Sequence, residues 1–449
     1  MSLATPKKGY KSVPWLFGKE IEIPQEWEVK RVGSISKIKG GKRLPKGEPF
    51  SKDKTNHPYL RVTDFGTNTI YEKNLEYVTD DIFKKIKNYT ISSENVYISI
   101  AGTIGLAGLI PKSLDGASLT ENACKIIVTK QIIKEYLSII LNSKPIQDQI
   151  KSYLGITSQP KLALFRIEKL QFPLPPLPEQ QKIANILSNV DNLIELTGKV
   201  ITHSKKVKKG LMQKLLTQGI GHTKFKEYFF TINGVISLGT IPSEWDISTI
   251  NELNENDTII DFQDGNHGEL HPKKDDFINK GIPFLTASQI DENGMVDLLN
   301  SKKLPELFLN TLRIGFSKAK DVLFTHNATV GRVAVLPKNF PDCIVGTSVT
   351  YYRLDETKLN GIFFSYVLRS KFIKTQYGTE IDQTTRQQFS IRKQAKLKIP
   401  VPSLPEQQKI ATILSNIDSK ITSQEQYKEN LEKLKKSLMQ KLLTGEVRV

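Results

Sequence analysis

Cysteine is nearly absent: the 449 residues contain only Cys124 and Cys343. Neither belongs to a Cys-x-x-Cys pair, and two are too few for a disulfide framework. Both are read as buried small apolar side chains. No run of 18 or more apolar residues occurs, so no segment is a candidate transmembrane helix. The opening Met1-Ser2-Leu3-Ala4 lacks a signal-peptide core, and a cytoplasmic location is expected. The signatures of catalysis are missing too. There is no Gly-x4-Gly-Lys-Ser/Thr phosphate loop, and the Gly-rich stretch Ala101–Gly108 has no lysine, so it is read as a turn between strands. No Gly-x-Gly follows a plausible dinucleotide-binding strand. The only Pro-Pro pair, Pro175-Pro176, is not in an Asn/Asp-Pro-Pro-aromatic loop of the adenine methyltransferase kind. The six histidines (His57, His203, His222, His267, His271 and His326) do not recur between the halves of the chain and lack metal-ligand spacing. No catalytic residue and no metal site are expected.

Charge is what the chain has in surplus. Lysine and arginine number 64 against 47 acidic residues, a net +17. Such an excess suits a polyanionic partner. The apolar share of 38% and charged share of 25% fit folded material. The length exceeds what one hydrophobic core fills, so two or more domains are expected.

The sequence also repeats itself. Pro173 to Asp191 reads PLPPLPEQQKIANILSNVD, and Pro400 to Asp418 reads PVPSLPEQQKIATILSNID, with 15 of 19 positions identical at an offset of 400 − 173 = 227. The same offset relates KGLMQKLLT at 209–217 to KSLMQKLLT at 436–444, identical at 8 of 9 positions. The intervening segments therefore have equal length, as a rigid spacer requires. Weaker echoes lie upstream: IPQEW at 23–27 and IPSEW at 241–245, PYLRVT at 58–63 and PFLTAS at 283–288, AGTIG at 101–105 and NATVG at 327–331. A period this long is a duplication of whole domains, not a solenoid.

Each conserved part predicts a long helix. Pro178 suits a first turn, Glu179 suits the positive end of the dipole, and about 40 residues follow without another proline. Such a helix spans roughly 60 Å. Ile183, Leu187, Val190, Ile194, Ile201, Leu211 and Leu215 form a heptad seam, interrupted by Thr197, Ser204 and Lys208; Ile410, Leu414, Ile417, Ile421, Leu431, Leu438 and Leu442 form the second. A helix with one apolar stripe needs a partner, and the other copy, packed antiparallel, is the expected one. A helix lying on its own domain is the alternative, and the length weighs against it. The remaining parts alternate short β-branched stretches with Gly, Asn and Asp, and read as mixed α/β. The expected fold class is therefore α+β or mixed: two globular α/β domains, separated by two long antiparallel coiled-coil helices in a pseudo-twofold duplication. The expected boundaries are 1–172, 173–220, 221–399 and 400–449.

DNA reading needs cations for phosphates and Arg, Lys, Asn, Gln, Ser or Thr for base edges. The candidates in the first half are Lys39, Lys42, Arg43, Arg61, Thr63, Thr103, Gln159 and Lys161. In the second half they are Thr286, Asn327, Thr329, Arg332, Thr384, Arg386 and Gln387. A coiled-coil scaffold without DNA specificity is the other class of function, and the +17 charge and cation-rich loops weigh against it.

The duplicated PLPPLPEQQKIANILSNVD/PVPSLPEQQKIATILSNID and LMQKLLT segments, with the IPQEW/IPSEW openings, resemble the specificity subunits of type I restriction–modification systems. The resemblance covers nearly the whole chain. It implies two target-recognition domains, each reading one half of a bipartite asymmetric site in double-stranded DNA, with the helices setting the gap. It also implies that two modification subunits dock on the conserved helices. Glu179, Gln180, Lys182 and Asn189, with Glu406, Gln407, Lys409 and Asn416, are then the expected partner surface. The chain itself would hold no cofactor. S-adenosylmethionine, ATP and magnesium would belong to the modification and restriction–translocase subunits, or to modification subunits alone in a methylation-only complex.

Overall fold

A computed structural model describes residues 7–15, 19–154, 160–232, 235–327, 329–381 and 388–449. The chain divides into two compact units, one of residues 1–198 with 426–449 and the other of residues 199–425. Both boundaries fall inside the long helices, Leu177–Gln218 and Leu404–Leu443.

The first unit holds two four-stranded sheets. One runs in the order Ala107–Leu109, Asn95–Ser99, Ala123–Val128, Ser36–Gly40, with antiparallel neighbours throughout. The other runs Glu76–Tyr77, Pro58–Leu60, Ala117–Leu119, Thr90–Ile91, and its central pair is parallel. The second unit repeats both orders: Val333–Val335, Val322–Thr325, Val349–Leu354, Ile259–Gln263, and Lys302–Leu304, Ile282–Leu285, Cys343–Val345, Phe316–Ser317. The strands are short and rich in β-branched and aromatic residues. Val96, Tyr97 and Ile98 are buried on both faces of their strand, as are Val322, Leu323 and Phe324 in the repeat. Each unit has a hairpin ahead of its sheets, Tyr10–Pro14 with Glu20–Pro24 and Phe225–Ile232 with Val235–Pro242, although the two hairpin sequences are dissimilar.

The long helices pack antiparallel within each unit. In the first, Ile183, Ala184 and Leu187 share a core with Leu442 and Leu443, and Lys435 pairs with Asp191 at 2.5 Å. In the second, Leu215 and Leu216 share a core with Ile410 and Leu414, while Lys208 pairs with Asp418 at 2.5 Å and Lys205 with Glu425 at 2.6 Å. The ion pairs 191–435 and 418–208 are one contact made twice, because 191 + 227 = 418 and 208 + 227 = 435. Seam residues Val190, Thr197, Ile201, Ile421 and Leu431 are buried as the heptads predict.

Each helix start is fastened by a buried tryptophan. Trp27 Nε1 donates to Glu179 at 2.8 Å, and Trp245 Nε1 donates to Glu406 at 3.0 Å. Arg448 closes on Glu179 from the other side (2.7 Å); His222 and the Ile220 amide do the same for Glu406, both at 2.9 Å. The turns that bring them there need glycine. Gly219 (φ +65°) and Gly445 (φ +74°) are left-handed, and a Cβ would lie 2.6 Å from Glu406 Oε1 at the first and 2.4 Å from Pro24 Cδ at the second.

Candidate nucleic-acid interface

In the first unit four loops meet beside the sheets. The Gly41 amide donates to Ala123 O (3.0 Å), Lys42 to Leu119 O (2.8 Å), Thr120 to Leu60 O (3.0 Å) and Ile100 to Asn122 O (2.7 Å). These bonds gather residues 41–44, 61–64, 100–105 and 120–122. The second unit gathers 264–267, 286–289, 326–327, 329–332 and 346–348 in the same way. Gly346 donates to Leu285 O (2.7 Å), His326 to Ser348 O (3.0 Å) and Ala287 to Ser348 Oγ (2.9 Å). Each loop follows the same strand of the repeat, so topology assembles the cluster and leaves the loop residues free to differ.

Lys42, Arg43, Thr63 and Thr103 lie in the first cluster and are exposed. Lys39 is exposed on the neighbouring strand, and Lys161 is exposed one residue before Leu162, whose amide donates to Ile100 O. Arg61 is placed otherwise. Its guanidinium binds Asp64, Glu76 at 2.9 Å and the Asn74 carbonyl at 2.8 Å, so it braces its own turn. Thr286, its counterpart, gives its hydroxyl to Gln289 at 2.7 Å. Both residues shape the loop because a tight turn leaves polar groups that only local partners can reach. In the second cluster Asn327 bridges to Gln388, Thr329 closes the turn through its backbone, and Arg332 donates to the Ile290 carbonyl at 2.8 Å. Gln159, Thr384, Arg386 and Gln387 lie outside the described residues.

Sequence reasoning missed Thr120, Glu121, Asn122, Asn266, His267, Thr347 and Ser348. The signal was present in the spacing: residues 120–122 and 346–348 are 226 apart, as are the recognised 101–105 and 327–331. Two of these are held by side-chain partners. Arg43 Nε donates to Glu121 Oε1 at 2.7 Å, and His267 Nε2 lies 3.0 Å from Asp264 Oδ2. Burial opposes ionisation of Glu121, but the Arg43 hydrogen bond, the Glu121 backbone and the nearby positive charge prevail and hold its carboxyl below the usual range.

Behind the second cluster lies a buried polar chain with no counterpart among the described residues of the first unit. Gln394 Nε2 donates to Thr350 Oγ1 at 3.0 Å, and the Thr350 hydroxyl is hydrogen-bonded to His326 Nδ1 at 2.9 Å. In the first unit Ile100 and Cys124 fill the matching places. Burial lowers the His326 pKa, against weaker raising effects of Asp264 and the Thr347 backbone. The unfolded chain takes up this proton near pH 6.5 and the folded chain only at lower pH, so acidification favours unfolding across that interval. Stability is expected to fall as the pH drops from 7 towards 5, above the range of the carboxylates. Denaturant midpoints across this range would check it: His326→Gln should flatten the slope, and an unchanged slope would assign the effect elsewhere.

The residues expected to meet a partner divide in two. Lys182, Asn189, Lys409 and Asn416 are exposed. Glu179 is buried in the tryptophan clasp; Gln180 is 1% exposed and Gln407 0%. Gln180 accepts from the Ile133 amide at 3.0 Å and donates to the Gln131 and Pro175 carbonyls. Gln407 repeats this with the Asn360 amide at 2.8 Å and the Lys358 and Pro402 carbonyls. Both glutamines tie the helix start to its own unit, because unpaired amides and carbonyls there would be costly. Gln407→Leu is expected to destabilise the second unit by roughly 2–4 kcal/mol, measurable by urea denaturation. A loss below about 0.5 kcal/mol would mean that these groups find water.

A second seam runs along each helix and faces solvent. Leu193, Val200 and Val207 are exposed at heptad spacing on the first, and Ile413, Tyr427 and Leu434 on the second. Adding 227 turns 200 and 207 into 427 and 434, so the repeat preserves this stripe as well as the buried one.

The family described as Type I restriction modification DNA specificity domain matches twice, at residues 24–203 and 242–433. The chain belongs to that family. It is similar to the type I restriction enzyme MjaVIII specificity subunit of Methanocaldococcus jannaschii, 28% identical over 96% of this chain and 95% of that protein. It also resembles the EcoBI specificity subunit of Escherichia coli, 21% identical over 95% of this chain and 87% of the other. The crystal structure of the S subunit of a type I restriction–modification system from M. genitalium has the same fold, with a TM-score of 0.58 at 16% identity over 93% of this chain and 96% of that one. Among the described residues no helix is long and apolar enough to cross a membrane, and no group of three or more His, Cys, Asp or Glu is placed to hold a metal ion.

Proposed function

We infer that this specificity subunit reads a bipartite, asymmetric site in double-stranded DNA. The domain within 1–172 reads one half-site, and the domain within 221–399 reads the other. The observation that carries this reading is the contrast inside the duplication: the loop clusters are assembled by the same strand order from dissimilar residues, whereas the two ends of the long helices are nearly identical in sequence. Two different readers on a shared spacer need that contrast. The cationic surplus supplies phosphate attraction, which fixes register but carries no sequence information. The exposed heptad stripes, with Lys182, Asn189, Lys409 and Asn416 nearby, suit two copies of one helical partner, and we assign them to two modification subunits. Those subunits would bring S-adenosylmethionine and methylate adenine. Restriction–translocase subunits, where present, would bring ATP and magnesium.

The test is methylome sequencing of a host that expresses this chain with its modification subunit, against a host that lacks the chain. A bipartite methyladenine motif that disappears with the chain is expected. An active modification subunit whose methylation pattern is indifferent to the chain would overturn the proposal.

A further inference from the structure

Resting on that reading, we propose that Arg43 recognises a guanine in the major groove and that Glu121 is the positioning residue that aims it. Arg43 stands on a fixed base: the Lys42 amide is bound to Leu119 O, and the Tyr59 hydroxyl donates to Lys42 O at 2.7 Å. The ion pair with Glu121 engages Nε, and the Arg43 side chain is still 79% exposed. Glu121 is itself held, 24% exposed, with the Thr120 hydroxyl donating to its other oxygen at 3.2 Å. The pair borders a cleft of about 440 Å³ whose walls include Phe50, Tyr59, Thr63 and Asn122.

A cation meant for phosphate gains nothing from a carboxylate at 2.7 Å, because the pair is nearly neutral and the carboxylate repels the phosphate. A base reader gains a great deal. Guanine presents two acceptors, O6 and N7, and a guanidinium meets both with its two terminal nitrogens. That arrangement leaves Nε for a carboxylate, which removes the rotational freedom that would otherwise blur the choice of base. A solvated surface ion pair would contribute little to folding, so stability does not explain why this one is built.

The second unit carries the same device in other residues. His267 occupies the place of Arg43 in its loop, is 56% exposed, and is held by Asp264 at 3.0 Å. The carboxylate comes from a neighbouring loop in one unit and from the same loop in the other. A cationic or polar side chain fixed by a carboxylate at the same place in both clusters is what two readers of different bases require.

The test uses the full chain assembled with its modification subunits, acting on a randomised DNA duplex pool, with the methylated duplexes sequenced. The wild type is expected to select a guanine at a defined position of one half-site. Arg43→Lys keeps the charge but loses the fork, and should lower the preference at that one position roughly 10- to 100-fold, leaving the other half-site unchanged. Glu121→Gln should weaken the same position by less. Arg43 is exposed and Glu121→Gln keeps the shape of a partly buried side chain, so unchanged melting midpoints are expected. The assignment is overturned if the variants select the wild-type motif with undiminished preference, lose methylation evenly at all positions, or change the other half-site. A wild-type pool without any bipartite motif would overturn the functional reading itself and this assignment with it.

Discussion

Deleting residues 199–205 and 426–432 together should bring the two recognised half-sites about two to three base pairs closer and leave the bases of each unchanged. The two segments are equivalent, since 199 + 227 = 426, and both lie at the junctions of the compact units, outside the two main cores. Seven residues preserve the heptad register, so Ile183 still meets Leu442 and Leu215 still meets Ile410. The helices shorten by about 10 Å, close to three base pairs of duplex. Seven residues turn a helix about 20° short of two full turns, whereas three base pairs turn the duplex by about 100°. The shortened complex must absorb that difference as twist, and weaker binding should accompany the new gap. Methylome motifs of the variant and wild type check this directly. A deletion that altered the half-site bases, or left the gap untouched, would sink the spacer reading.

The second large effect is on folding. Trp27 is fully buried, touches the helix start through Glu179, and is approached by the glycine turn at 445. Trp27→Ala removes its packing and the Nε1 donor, at a cost of about 3–5 kcal/mol. The loss should be larger than for Arg448→Met, whose partner contacts are partly solvated and therefore worth less. Hydrogen exchange would locate the damage: protection should fall in the strands at 95–99 and 123–128 and persist at 322–325 and 349–354. Even loss of protection across both sets of strands would mean that the units do not keep separate cores. Trp245→Ala should give the opposite pattern.

Much of this architecture is legible in the sequence. The two helices, their seam and their antiparallel partnership follow from the heptads and the constant offset, because packing along a helix depends on periodicity alone. The strands at 58–60, 95–99 and 123–128 follow from alternating or β-branched stretches, although the first ends earlier than the pattern suggests, because Val62 already belongs to a tight turn. The site is harder to read. Arg61 looks like a DNA contact, yet Asp64 and Glu76 claim it, and the claimants are recognisable only once the turn is folded. Glu179 and Gln180 look like conserved surface because they are polar, but they are identical in both copies for an internal reason: each fastens a helix to its own unit. Glu121 escapes notice because its value depends on Arg43, 78 residues away in the chain.

The division of the chain has a consequence for its synthesis. The second unit is one unbroken stretch, 199–425, whereas the first is interrupted by it and needs residues 426–449. During translation the part made first must therefore wait. Ile183 and Leu187 present an unfilled groove until Leu438, Leu442 and Leu443 emerge, and Glu179 lacks Arg448 until the same moment. Domains on a ribosome usually mature in the order in which they are made, and here that order is reversed. Once the second unit has folded, the packing of Leu215 and Leu216 with Ile410 and Leu414 holds the two helical stems side by side, so much of the entropy of bringing 198 and 426 together has already been lost. The later-made unit thus acts as the splint on which the earlier one is completed.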